Sequence, residues 1–147
     1  MRMLKQKGSA TVEFAMLLPL LLLLVFTVSE FGAMFYRLNA LTKSVDIAAR
    51  YLTDVSVNKT NTATDKTNAQ NLAVYGTITA GTAILTDLTP ANITITNPDA
   101  QHIRVIATYN ANLLLGGTLN AFMQYIGGSV ATDFMTLTAA SVMRFAQ

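Results

Sequence analysis

The chain has 147 residues, of which 52% are hydrophobic and 12% charged, with a formal net charge of +2. That length fits one domain plus one membrane segment and leaves little room for a second independent fold, and the apolar excess is shifted away from ordinary soluble domains. Cysteine is absent, which excludes disulfide scaffolds, thiolate metal sites and thiol nucleophiles.

The charge is unevenly placed. Arg2, Lys5 and Lys7 all precede Gly8, and the remaining chain carries seven basic against eight acidic residues. Three early cations ahead of an apolar run read as the cytoplasmic flank of an inserting helix, which puts the C-terminal bulk on the far side of the membrane. No basic stripe resembles a nucleic-acid footprint.

From Phe14 to Ser29 the chain carries no charge, and it includes the run Leu20 to Leu24. About 20 residues are needed to cross a hydrocarbon core of roughly 30 Å, so the span is expected to extend toward Tyr36 and to include Glu30. Pro19 removes one helical hydrogen bond, and a local bend or loosened turn is expected there. Beyond the run, Phe31, Met34, Phe35, Leu38, Leu41, Val45, Ala48, Ala49 and Leu52 recur at spacings of three and four, with Arg37, Lys43, Asp46 and Arg50 between them. This periodicity predicts that the helix leaves the membrane and lays an apolar stripe on a globular part. One continuous helix of about 40 residues, roughly 60 Å long, is implied.

Asn58 to Asn71 lacks any large apolar side chain but Leu72 follows it at once; the stretch reads as a surface loop leading into a short helical piece around Ala69 to Tyr75, closed by Gly76. The rest reads as strands. Ile93 and Ile95 alternate with threonines, Ile103, Val105, Ala107 and Tyr109 alternate with Arg104, Ile106 and Thr108, and a turn around Asn97 to Ala100 joins them into a hairpin. A third strand is expected from about Phe134 to Phe145, after a stretch punctuated by Gly116, Gly117, Gly127 and Gly128.

An acidic side chain in an apolar helix costs about 2.5 to 3.5 kcal/mol on insertion scales, so Glu13 at the edge of the run needs a reason. The basic residues, Gly8, and then Ser9, Ala10, Thr11, Val12, Glu13 and Phe14 match a class III prepilin leader, in which cleavage follows the glycine and glutamate becomes the fifth residue of the mature chain. With Pro19 among its leucines, Glu30-Phe31-Gly32, Phe35-Tyr36 and Ala48-Ala49-Arg50-Tyr51, the first third of the chain resembles the TadE-like pilin family. The resemblance implies a minor pilin or pseudopilin of a Tad-type pilus or secretion system. A prepilin peptidase would cut between Gly8 and Ser9, the new amine of Ser9 would pair with Glu13 of an adjacent subunit, and Phe14 would follow it in the assembly segment. Further expected partners are other pilins of the same system, an inner-membrane assembly platform and the lipid bilayer. Close packing at Ser29, Gly32 and Ala33, beside Glu30, would hold neighbouring helices together, because lipid gives helices no hydrophobic reason to associate.

Plainer readings stand beside these. Glu13 also fits a headgroup-level carboxylate of an unprocessed signal anchor, and Glu30 fits an interfacial group reaching solvent. His102 is the one histidine, and without clustered cysteines or carboxylates it makes no metal or triad site. The glycine pairs lack a following Lys-Ser or Lys-Thr and read as turns. No cofactor and no enzymatic activity are expected. The fold expected is α+β: a leader over 1–8, a transmembrane and assembly part of the helix over 9–30, its amphipathic continuation over 31–53, and a globular region over 54–147 built on a small antiparallel sheet of three or four strands. The rival function is a single-pass, signal-anchored extracytoplasmic binding protein that does not polymerise.

Overall fold

A computed structural model of the chain describes residues 7–56, 60–113, 116, 124–125, 127–128 and 134–145. Arg2 and Lys5 of the leader, Asn58 and Lys59 of the expected loop, and Gly117 lie outside the described residues. The architecture is α+β, with a long N-terminal helix packed on a three-stranded antiparallel sheet.

Helix α1 covers Lys7–Val55, 49 residues with Pro19 inside it, or about 74 Å of rise. It stays helical through Pro19. Pro19 lacks the N–H that would close one helical bond, and the turns on either side of it remain helical. The two halves of the helix differ in surroundings. Every described side chain from Ala10 to Ser29 is exposed, and burial begins at Met34. From there Met34, Leu41, Val45, Ala48, Ala49 and Leu52 are buried, with Leu38 half-buried. Phe31 and Phe35, expected on the same stripe, are exposed instead. They sit where the bare part of the helix meets the packed α+β region, or head, on a side of the helix that the rest of the chain does not cover.

Helix α2 covers Ala63–Tyr75 and begins well inside the stretch expected to be a loop. A reciprocal capping box starts it: the Thr62 hydroxyl accepts from the Asp65 amide while the Asp65 carboxylate accepts from the Thr62 amide. Two otherwise unsatisfied donors are thereby paired. Gly76 ends the helix in the left-handed conformation at φ 73°, its N–H donating to the Leu72 carbonyl, a position that suits glycine because it has no Cβ. Ala69, Ala73 and Val74 are buried in the common core, and Asn68 Nδ2 donates to the Tyr51 hydroxyl at 3.2 Å, tying α2 to α1.

The strands are β1 (Ile93–Asp99), β2 (His102–Asn112) and β3 (Phe134–Arg144), in that spatial order with β2 central. The β2–β3 ladder is regular from His102↔Arg144 to Asn112↔Phe134. In β1–β2 the register shifts between Thr96 and Asp99, a bulge that accommodates Pro98, which has no N–H to give. Ile103, Val105, Ala107, Tyr109 and Ala111 alternate inward along β2 and meet Leu137 and Ala139 of β3. This inner face packs on α1 and forms one core with α2. Between α2 and β1 the chain passes Leu85 and Leu88, both buried, and a 3-10 turn at Pro90–Asn92.

Candidate functional site

The functional surface starts from the bare half of α1. This helix is long and apolar enough to cross a membrane, and none of its most apolar eighteen-residue window is buried within the protein. A core helix of a soluble domain would bury that surface, because leaving it in water forfeits about 25 cal/mol per Å². Phe14, Met16, Leu17, Leu20 to Leu24 and Phe26 are all exposed. Such a rod is suited to a single-pass membrane anchor.

Glu13 is exposed and Glu30 half-buried, both on α1. Their separation corresponds to about 26 Å along the axis and about 100° around it, so the two carboxylates bracket most of a hydrocarbon thickness on different faces. Ser29, Gly32 and Ala33 fall on one face at spacings of three and four, turned away from Met34 and the core. Beyond the helix's own neighbouring backbone, a Cβ at Gly32 would meet nothing within 4 Å among the described residues. Nothing among the described residues therefore requires glycine there. Gly8 and Ser9 belong to the first turns of α1.

At the foot of the head the structure brings together residues that sequence reasoning did not connect. Arg37 Nη1 donates to the main-chain carbonyl of Asn112 at 2.7 Å, joining α1 to the end of β2 across 75 positions. Around this bond lies a groove of about 400 Å³ lined by Tyr36, Arg37, Ile84, Leu85, Thr86, Asp87, Tyr109, Asn112 and Leu113. A second groove, of about 630 Å³, continues up α1 past Tyr36, Asn39, Ala40, Lys43, Ser44, Ile47 and Ile84. Asp87 has φ 67°, a left-handed backbone that aspartate tolerates better than most residues. The position of Arg37 as the first cation after the apolar run was visible in the sequence; its neighbours at Asp87 and Asn112 were not.

At the opposite end, the hairpin tip, His102 Nδ1 lies 2.8 Å from both carboxylate oxygens of Asp99. The Gln101 amide donates to Asp99 Oδ1 at 2.7 Å. These hydrogen bonds, the Gln101 amide first, hold the Asp99 carboxyl below its ordinary value. This cluster organises a turn. Among the described residues no group of three or more His, Cys, Asp or Glu side chains is placed to hold a metal ion.

Comparison with known proteins agrees with the resemblance read from the sequence. The family model described as TadE-like protein matches residues 8–50, which covers α1 from Gly8 to Arg50 and so spans both its bare and its buried halves. No curated protein matches the chain, and no solved structure does.

Proposed function

We propose that this chain, TadE-like over residues 8–50, is a structural minor pilin or pseudopilin of a Tad-type pilus or secretion system, acting in assembly or initiation. The observation that carries the reading is the bare apolar half of α1, continuous with the helix that builds the head, within a segment that matches a pilus-associated family. A shaft that is both anchor and assembly surface has to stay attached to its head, and here one helix does both. The role is structural, not enzymatic.

In this reading a prepilin peptidase cuts between Gly8 and Ser9 at the cytoplasmic face of the inner membrane, and the apolar rod survives the cut. The leader 1–8 is lost, 9–30 inserts, and 54–147 is displayed outside the cytoplasm on the amphipathic continuation 31–53. The freed amine of Ser9 carries a positive charge beside the bilayer, and Glu13 of an adjacent subunit neutralises it during assembly; each charge alone would be costly in lipid, and paired they are tolerated. Phe14 follows into the packed shaft. The Ser29, Gly32 and Ala33 face supplies close helix approach, which substitutes for the missing hydrophobic drive in lipid.

Mass spectrometry of the mature N-terminus, with and without the peptidase, tests this. A chain beginning at Ser9 only when the peptidase is present is the expected result. A native protein intact from Met1, or one lacking the rod, would overturn the pilin reading and leave a signal-anchored binding protein or a secreted head.

A further inference from the structure

The groove at the foot of the head has an unusual charge pattern. Arg37 is half-buried, and one of its N–H groups is committed to the Asn112 carbonyl. A guanidinium has five N–H donors in a rigid fork; the Asn112 bond uses one of them, and Arg37 lines the groove beside it. Asp87 lines the same groove, is exposed, and has no cationic partner among the described residues. Opposite charges thus line one recess without forming a pair with each other. Tyr36, Ile84 and Leu113 supply its apolar wall.

The position of this recess along α1 points to its occupant. If Glu13 marks one boundary of the hydrocarbon, about 20 residues of helix reach the other near Ala33, and Arg37 stands one turn further, about 6 Å out. That is the depth of the headgroup layer. An exposed aromatic at this level, Tyr36, suits the same layer.

We propose that the groove bounded by Arg37 and Asp87 binds the headgroup of a zwitterionic aminophospholipid, the phosphodiester on the Arg37 fork and the primary ammonium on the Asp87 carboxylate. The apolar wall of Tyr36, Ile84 and Leu113 then meets the start of the acyl chains. The inference rests on the membrane-anchor part of the reading above and does not depend on processing or polymerisation. Its consequence is that the head is seated on the bilayer at a fixed depth before assembly, and leaving the membrane requires giving up a lipid.

The test is native mass spectrometry of the full chain released from bilayer nanodiscs holding equal amounts of phosphatidylethanolamine and phosphatidylglycerol. Wild type is expected to retain phosphatidylethanolamine in clear excess. Arg37→Gln is expected to lose at least about tenfold of the retained lipid, Arg37→Lys to keep part of it, and Asp87→Asn, which preserves the left-handed turn, to erase the preference between the two lipids while still binding. Equal retention of both lipids by wild type, or wild-type retention by Arg37→Gln, overturns the site. If Arg37→Gln melts at a lower temperature than Arg37→Lys, the Asp87→Asn preference decides alone. Free glycerophosphoethanolamine that binds the detergent-solubilised chain as well as the lipid does would identify a soluble ligand and also overturn the proposal. Extraction of the chain from membranes by alkaline carbonate would strike the anchor itself, whereas insertion without lipid preference strikes only this site.

Discussion

Thr62 and Asp65 bond each other reciprocally: the Thr62 amide donates to Asp65 Oδ2 at 2.8 Å and the Asp65 amide donates to Thr62 Oγ1 at 3.2 Å. This pair starts α2 in a stretch with little helical propensity of its own, and α2 then delivers Ala69, Ala73 and Val74 to the core. Thr62→Ala is expected to destabilise the head by about 1 kcal/mol, the usual cost of losing a cap. Hydrogen exchange should quicken in the first turn of α2 and leave the sheet unchanged.

The same pair predicts a pH dependence. The Thr62 hydroxyl, and then the Thr62 amide, hold the Asp65 carboxyl below its ordinary value, and at the hairpin tip Gln101 and His102 do the same for Asp99. A carboxyl whose folded pKa is depressed binds fewer protons folded than unfolded, so its stabilisation is present above the ordinary carboxylate value, about 4, and is lost as the pH falls through the lowered one. Asp99 is exposed and Asp65 only half-buried, so the effect is expected to be small. Thermal melts between pH 2 and 6 should show a shallower acid limb for Asp65→Asn and Asp99→Asn than for wild type.

What the sequence disclosed follows from which residues carry their information locally. Ile103, Val105, Ala107 and Tyr109 announce β2 because a strand buried on one face must alternate, and the β2–β3 ladder begins and ends where composition changes. The start of α2 escaped because its buried residues are mainly alanines, leaving no apolar stripe, although Thr62 and Asp65 stand at capping-box spacing. Phe31 and Phe35 misled because periodicity reports that one helix face is apolar without saying whether protein or lipid covers it. The Arg37 groove was not legible at all: Asp87 and Asn112 reach it only through tertiary packing, and no spacing in the chain encodes that meeting.

The two halves of α1 should respond unequally to the same substitution. Leu41 is fully buried, whereas Leu21 is 61% exposed. Leu41→Ala is expected to cost the head about 2 to 5 kcal/mol, through lost transfer energy and the cavity left behind. Leu21→Ala should leave head stability unchanged. Denaturant unfolding of the full chain in detergent, followed by tyrosine fluorescence, separates the two; equal effects would mean that the bare half of α1 is packed against the head after all.

Gly32 offers a test of close packing between subunits. Since a Cβ there meets nothing within 4 Å among the described residues beyond the helix's own backbone, Gly32→Leu should preserve folding and insertion and, by helix propensity alone, favour the helix by somewhat less than about 1 kcal/mol. Incorporation into pili is expected to fall sharply, because a leucine holds neighbouring backbones apart. Normal incorporation of Gly32→Leu would show that this face lies against lipid rather than against another helix.

Glu13→Ala separates membrane insertion from assembly by sending them in opposite directions. Removing a carboxylate from the edge of the apolar run eases insertion, by up to about 3 kcal/mol were the group at the bilayer centre and less at the boundary. In the proposed assembly, where Glu13 pairs with the Ser9 amine of the neighbouring subunit, removing the carboxylate would leave that amine unpaired, a loss of about 3 to 5 kcal/mol and hence more than about a hundredfold in assembly equilibrium. The variant should therefore accumulate in the membrane and be missing from sheared pili. The mature N-terminus has to be measured in the same cells: a variant still processed to Ser9 yet excluded from pili places the defect in assembly, whereas one that assembles normally means that Glu13 makes no contact on which the filament depends.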